Sequence, residues 1–152
     1  MEKNLEELQK KYDELTKAQN ELGLEIKKLQ ALPNRNDFKS IKTLADAELV
    51  TGKKLVIQPL DKPHIIAMNI LEIIIEAINP EGWKESIDWN NDSQYKWYPC
   101  FDCSGSFGFD DSYYNYALAY SGTGSWLCFS SEDRSDYAGK QFLDLYEKII
   151  KG

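Results

Sequence analysis

The chain has 152 residues, of which 42% are hydrophobic and 12% aromatic, with a formal net charge of −7. This composition is typical of one folded domain and argues against a disordered chain. The excess negative charge lies in residues 80–136, which carry ten acidic residues against three basic ones. Without a cluster of Lys and Arg, direct binding to a nucleic-acid backbone is not expected.

No apolar run is long enough to cross a bilayer, since the longest, around Ile70–Ile75, contains Glu72. The charged amino terminus is unlike a signal peptide. Three cysteines form no disulfide framework, which favours a reducing compartment. We therefore expect a cytoplasmic protein without a membrane segment.

Residues 1–32 are predicted to form a coiled-coil helix that makes the protein an oligomer. With Leu5 at heptad position a, every later d position up to residue 29 is leucine. Such a seam repeats every 3.5 residues and stays on one side only if the helix supercoils around a partner. The predicted seam consists of Leu5, Leu8, Tyr12, Leu15, Gln19, Leu22, Ile26 and Leu29.

The seam predicts self-association as a dimer, with a trimer as the alternative, because leucine at d favours two strands. In a parallel pair Gln19 meets Gln19 of the other copy, and the two amides can hydrogen-bond and fix the alignment. The competing interpretation is a long helix that folds back on its own domain, which usually shows a wider apolar stripe.

The body, residues 40–152, is predicted to follow a polar linker over residues 33–39. Helical spacing predicts a short helix over residues 40–50, closed by Gly52. A nearly all-apolar helix over residues 61–78, capped by Asp61, is expected to be central and buried. A last helix is expected to start at Ser131.

Between these helices, aromatic residues alternate with Gly, Ser, Asp and Asn, which predicts strands separated by turns. The strands are expected near residues 95–103, 106–109, 113–120 and 125–129. Turns are expected at Asp110-Asp111 and at residues 121–124. The predicted fold class is α+β, an antiparallel meander packed against helices after the coiled-coil helix.

Several motifs suggest chemistry but lack a necessary part. Cys100 and Cys103 form a CxxC that Cys128 could approach, yet a zinc site would need a fourth ligand. The segment 88–92 resembles the start of a calcium loop, but glycine and the closing glutamate are missing. Residues 122–125 lack the lysine of a phosphate-binding loop, and His64 is the only candidate base. No metal, cofactor or catalytic residue is therefore predicted.

Adjacent aromatic residues predict a binding face. Side chains alternate across a strand, so one ring of Trp97–Tyr98 and one of Tyr113–Tyr114 must point away from the core. Outward Tyr and Trp side chains among carboxylates are suited to a protein partner. The competing interpretation is partial burial under loops or a neighbouring subunit. The candidate partner-binding residues are Trp89, Trp97, Tyr98, Tyr113, Tyr114 and Trp126.

Five short motifs resemble those of a family of small, uncharacterised proteins of bacteriophages and of mobile elements in gut bacteria. They are Gly82-Trp83, Asp88-Trp89-Asn90, Tyr95-Lys96-Trp97-Tyr98-Pro99, Leu127-Cys128-Phe129 and Tyr137-Ala138-Gly139-Lys140-Gln141-Phe142. The resemblance covers residues 41–148 and leaves out the coiled coil. It implies a phage origin, and hence the host cytoplasm, but no catalytic residue. Where the family tends to have an aromatic residue after the proline, this chain has Cys100.

Together these observations favour a non-enzymatic, oligomeric binding module that engages an unknown protein partner, such as a basic host factor, through an acidic aromatic sheet face. An inhibitor of a host defence system is one specific form of this hypothesis. The alternative is an enzyme or a small-ligand-sequestering protein with a pocket between the sheet and helix 61–78.

Overall fold

The structure, a computed structural model, describes residues 2–115 and 126–152. The chain divides into two compact units, Met1–Leu32 and Pro33–Gly152. The second unit combines helices with an antiparallel pair of strands. This confirms the predicted α+β class. Among the described residues, no helix is both long and apolar enough to cross a membrane.

Unit 1 is one helix, α1 (Glu2–Gln30), as the heptad pattern predicts. Lys27 and Lys28 lie in its last turn, where positive charge favours the helix dipole. The leucines at the d positions Leu8, Leu15, Leu22 and Leu29 are all more than half exposed on the single chain. The helix therefore presents an apolar seam whose pairing with a second copy stays a prediction.

Helix α2 (Leu44–Thr51) begins four residues later than predicted. Thr43 is its N-cap and forms a capping box with Asp46, in which each side chain bonds the backbone of the other residue. Ile41 lies before the helix in extended backbone and is buried. Gly52 ends the helix as predicted, with a φ of 72° that favours glycine.

Helix α3 (Pro63–Ile78) is the central buried helix that its apolar sequence predicts, with seven buried side chains. The prediction that Asp61 caps it is wrong. Lys62 occupies the N-cap position without a side-chain hydrogen bond, and the Asp61 carboxylate instead accepts from the Gln58 backbone N–H at 2.7 Å. Asp61 therefore closes the preceding turn.

Strands β1 (Lys96–Asp102) and β2 (Gly108–Asn115) form an antiparallel hairpin. The predicted turn at Asp110-Asp111 is wrong, because both residues lie within β2. Cys100 pairs with Asp111 and Phe101 pairs with Phe109, so Asp110 is the extra residue of a β-bulge. Aspartate pairs are typical of turns, but a bulge accommodates the same polar pair without ending the strand.

The predicted strand near residues 125–129 is reduced, within the described residues, to a bridge between Phe129 and Trp97. Their backbone groups exchange two hydrogen bonds, of 3.0 and 2.9 Å. The remainder of the predicted strand over residues 113–120 after Asn115, the turn at 121–124 and Ser125 lie outside the described residues.

A short helix, α4 (Trp83–Ser86), follows Gly82, whose φ is 72°. The predicted final helix is in fact two helices, α5 (Glu132–Gln141) and α6 (Leu143–Lys151). Ser131 precedes α5 as predicted, but Phe142, with φ −113° and ψ 31°, leaves the helical conformation and separates α5 from α6. Neither glycine nor proline marks this break, so periodicity alone predicts a continuous helix.

The core of unit 2 lies around α3, which packs against α2 on one part of its surface and against α6 on another. Helix α5 packs against both strands of the hairpin. Buried Phe129, Ala138, Phe142 and Tyr146 complete the core. This arrangement places the carboxyl-terminal end of α3 beside α4 and the segment around Phe129.

Candidate functional site

The carboxyl-terminal end of α3 is held by a buried amide, Asn79, whose side chain is only 2% exposed. Its Nδ2 donates to the Cys128 carbonyl at 2.9 Å, and its Oδ1 accepts from the Ser130 N–H at 2.9 Å. Both hydrogen bonds are made to the backbone on either side of Phe129. The Asn79 amide therefore fixes residues 128–130 against the end of α3.

Two arginines satisfy carbonyl groups at the same helix end. Arg35 Nη1 donates to the carbonyls of Glu76, at 2.6 Å, and Asn79, at 3.3 Å. Arg134 Nη1 donates to the Ile78 carbonyl. The last carbonyls of a helix have no partner within it and form its negative end, so a guanidinium there is doubly favourable. The segment 33–39, predicted as a linker, is anchored to the body through Arg35.

Beside this helix end lies a cleft of about 480 Å³, within the range typical of ligand sites. It opens between the carboxyl-terminal half of α3, helix α4 and the segment 126–127. Its lining combines indole rings with carboxylates and two cationic side chains. The main polar and aromatic residues that line it are Arg35, Glu72, Glu76, Glu81, Trp83, Lys84, Glu85 and Trp126.

Two of the cleft carboxylates are already neutralised. Glu72 accepts from Lys84 Nζ at 2.7 Å, and Glu76 pairs with Lys53. The hydrogen bond to Glu72 raises the pKa of Lys84, which keeps that ammonium charged. Glu81 and Glu85 are exposed and, among the residues that the structure describes, form no ion pair. Glu85 also acts electrostatically on Lys84, but the four glutamates of the cleft outnumber the cations Arg35, Lys53 and Lys84, which leaves the cleft with net negative charge.

The two tryptophans of the cleft differ in how they are held. Trp83 is half-buried and its Nε1 donates to the Cys128 carbonyl at 3.2 Å, which fixes the indole. Trp126 is 43% exposed. The fixed ring and the accessible ring give the cleft flat, electron-rich surface that suits a cation or a planar group.

The hairpin presents a second aromatic surface, which we call the outer face and define by Tyr98, Cys100, Asp111 and Tyr113. Tyr98 pairs with Tyr113, and Cys100 with Asp111, across β1 and β2. Directly paired residues lie on the same face of a sheet. Tyr113 is 57% exposed and Asp111 is exposed, whereas Tyr98 is half-buried.

The outer face reaches towards the cleft through Cys128 and Trp83. Burial raises the pKa of the Cys128 thiol, and hydrogen bonds from the Trp83 and Tyr98 side chains partly offset this rise. Trp83 also lines the cleft. The side chains of Tyr98, Cys128 and Trp83 are therefore neighbours that connect the hairpin with the cleft.

The other predicted partner-binding residues lie elsewhere. Trp97 and Tyr114 form a directly opposed pair with ring centroids 5.1 Å apart, and Trp97 packs against the core. The ring of Tyr95 lies tilted by 44° against that of Tyr114, with centroids 4.7 Å apart, and completes this cluster. Trp89 is half-buried, with the Lys96 ammonium 5.7 Å from its ring. The structure thus brings Tyr98 and Tyr113 together, and places Trp126 in the cleft.

The motifs that suggested metal or thiol chemistry are dispersed. Cys103 is exposed, Cys128 is buried, and all three cysteines are free. Burial, with the nearby carboxylates of Asp110 and Asp111, raises the pKa of the Cys100 thiol, which disfavours the reactive thiolate. Over residues 2–115 and 126–152, no group of three or more metal-ligating side chains converges. His64 is half-buried in the first turn of α3 and does not line the cleft.

Of the residues that line the cleft, only Trp126 is among the binding residues predicted from the sequence. Glu72 and Glu76 are one helical turn apart on an otherwise apolar helix, a spacing that places both on one face. A further sequence signal for the cleft is the short segment 81–85, in which Glu81 and Glu85 flank Trp83. Only the tertiary structure brings Trp126 beside this segment. The sequence predicts a pocket between the sheet and helix 61–78. The cleft does lie against this helix, but α4 and residues 126–127, rather than β1 or β2, form its other walls.

No protein-family model, curated protein or solved structure matches the chain.

Proposed function

We propose that the protein is an oligomeric, non-enzymatic binding module that engages a basic protein partner through an acidic, aromatic surface. This surface consists of the outer face and the cleft, joined at Trp83. The observation that carries the proposal is this junction: Trp83 lines the cleft and also hydrogen-bonds at Cys128, beside Tyr98 of the hairpin. Aromatic side chains that combine apolar area with a polar group are enriched in protein interfaces.

The charge of this part of the chain supports a basic partner. All three basic residues of the segment 80–136 are engaged within the protein. Lys84 pairs with Glu72, Lys96 is buried with its ammonium on the Asp88 carbonyl at 2.7 Å, and Arg134 caps α3. Of the ten acidic residues of this segment, only Asp136 forms an ion pair within the described residues, with Lys140, so the segment has a net negative field outside the protein. Such a field attracts a positively charged surface and speeds its association.

Self-association through α1 supports the same function by multiplying the binding surfaces. An exposed leucine seam along a 29-residue helix is stabilised by pairing with a second copy. Two linked surfaces bind a multivalent or clustered partner more tightly than one, without any new contact. The resemblance to phage proteins supports a host protein as this partner, and an inhibitor of host defence is the specific form we retain.

A second candidate function is sequestration of a small ligand, and the cleft volume of about 480 Å³ is the observation that favours it. A ligand of that kind would need only the cleft, whereas a protein partner would also need the outer face. Substitutions on the outer face therefore distinguish the two functions.

The test is capture of partners from a lysate of the bacterial host on the immobilised full-length chain. The outer-face variant carries Asp111→Asn and Tyr113→Ala, two exposed positions. The matched control carries Glu7→Gln and Glu14→Gln, which change exposed carboxylates of α1 outside the heptad seam. We expect one protein to be retained by the wild type and the control, and to be retained about tenfold less by the outer-face variant.

The captured protein is then purified and titrated against the same three chains at low and high salt. Binding that weakens with salt, and weakens further in the outer-face variant, supports the proposal. Retention of no specific protein, or equal binding by all three chains at every salt concentration, contradicts it.

A further inference from the structure

Building on the proposed function, we propose that the cleft is an anchor site for an arginine side chain of the protein partner. In this site the guanidinium stacks on an indole, and the carboxylates of Glu81 and Glu85 bind its N–H groups. The inference rests on the proposed function for the identity of the partner, but the cleft is tested with defined small molecules.

The shape of the cleft suits an arginine side chain. The cleft is large enough for one extended side chain with part of its backbone, and it is lined by Trp83 and Trp126. The apolar side chains of Ile75 and Leu127 also line it. A long aliphatic stem with a planar, charged end suits walls of this composition.

The charge of the cleft favours a cationic side chain. Four glutamates line the cleft against the cations Arg35 and Lys84. Both cations are engaged, since Arg35 binds carbonyls of α3 and Lys84 binds Glu72. Glu81 and Glu85 form no ion pair in the described part of the chain. Glu85 contributes to the field around Lys84, but that ammonium is hydrogen-bonded to Glu72, so both carboxylates can bind an incoming cation.

Geometry favours arginine over lysine. A guanidinium is planar and stacks on an aromatic ring, while its N–H groups remain free in the plane to bind carboxylates. An ammonium is a compact point charge that lacks this combination. A site with flat indole walls and peripheral carboxylates is therefore matched to the guanidinium in both respects.

One wall of the site, the indole of Trp83, is fixed before the site binds. The positive φ of Gly82 places Trp83 at the first position of α4, and the Cys128 carbonyl holds its indole. Asn79 fixes that same carbonyl from the end of α3. A preorganised site loses less conformational entropy on binding than a mobile one.

The experiment titrates the full-length protein with N-acetyl-arginine methylamide and with the citrulline analogue, which has nearly the same shape but no charge. Indole N–H signals of Trp83 and Trp126 are followed by NMR. We expect saturable shifts of these signals with the arginine probe and about tenfold weaker binding of the citrulline probe. Equal binding of the two probes, or no binding of either, overturns the inference, and this comparison needs no variant.

Two variants and a peptide complete the test. Glu81→Gln with Glu85→Gln is expected to weaken binding of the arginine probe about tenfold, while the control Glu7→Gln with Glu14→Gln leaves it unchanged. Unchanged binding in the first variant overturns the inference.

A short peptide with one arginine among glycines and serines is expected to bind more tightly than the single blocked residue, because a partner also presents backbone. Equal affinity of peptide and free residue points to a small molecule and overturns the partner assignment.

Failure of this inference and failure of the proposed function give different results. If the arginine probe does not bind but the captured protein still depends on Tyr113, only the anchor site is wrong. If the probe binds but no protein is captured, the anchor site belongs to a small cationic ligand, and the protein-partner function is wrong.

Discussion

Gly139 of α5 lies directly against the ring of Phe109 in β2. A Cβ atom at residue 139 would lie 2.4 Å from Cδ2 of Phe109 and 2.9 Å from Cβ of Pro99. Both distances are shorter than real Cβ contacts, so only glycine lets α5 approach both strands of the hairpin this closely. This gives a physical reason for the glycine within Tyr137-Ala138-Gly139-Lys140.

We therefore expect Gly139→Ala to lower the free energy of unfolding by about 2 kcal/mol, even though alanine is the better helix former. Urea unfolding monitored by circular dichroism measures the change. Gly105→Ala is the matched control, because a Cβ atom there meets nothing within 4 Å and the backbone φ is not positive. A Gly139→Ala variant as stable as the control would show that α5 and the hairpin are not so closely packed.

Asn79→Ala is expected to destabilise unit 2 by about 3 kcal/mol. The substitution leaves the buried Cys128 carbonyl without the Nδ2 donor and the Ser130 N–H without its acceptor. Amide hydrogen exchange at Ser130 should accelerate more than exchange in α1. Asn90→Ala is the control, since Asn90 is exposed. Slow exchange at Ser130 in the Asn79→Ala variant would contradict the assigned role.

The sequence predicted what periodicity and composition encode. The heptad pattern predicts helix α1, the apolar run predicts helix α3, and Gly52 predicts the end of α2. The predictions from sequence are wrong where one residue type occurs in several kinds of local structure. Asp110-Asp111 is as suitable for a bulge as for a turn, and Asp61 lies close enough to the helix start to imitate a cap.

The candidate site was less predictable than the fold. Trp126 was identified as a binding residue, but it lines a cleft with Trp83 and α3. These residues meet because Asn79 fixes the backbone of residues 128–130, a long-range contact with no local signature. The break at Phe142 likewise has no local signature; it separates α5, which packs on the hairpin, from α6, which packs on α3.

Glu48 is expected to make stability depend on pH in the acidic range. Hydrogen bonds from the Lys54 ammonium and the Leu55 backbone N–H hold the pKa of its carboxyl below the ordinary 4.5. A group with a lowered folded pKa stabilises the protein above its unfolded pKa, and that contribution is lost as pH falls through the folded pKa.

Consequently, the wild type should lose more stability than Glu48→Gln between about pH 6 and about pH 3.5. Urea unfolding at both pH values measures the difference. Glu132→Gln changes an exposed glutamate in the first turn of α5 and serves as the control. Parallel losses in the wild type and Glu48→Gln would show that the Glu48 carboxylate does not hold Leu55.

Disruption of the α1 seam is expected to convert an oligomer into a monomer without unfolding unit 2. Leu15→Asp with Leu22→Asp introduces two charges at d positions, where a paired helix would have to bury them. On the single chain both leucines are more than half exposed, so the same change costs an unpaired helix little.

Light scattering coupled to size exclusion should give a dimer for the wild type and a monomer for the double variant and for a chain without residues 1–32. The control is Glu7→Gln with Glu14→Gln, which alters the same helix outside the seam and should remain a dimer. A wild-type monomer would contradict the seam prediction. A trimer would retain the seam but change the number of binding surfaces that α1 brings together. The measured mass distinguishes a dimer from a trimer, because each copy weighs 17.5 kDa.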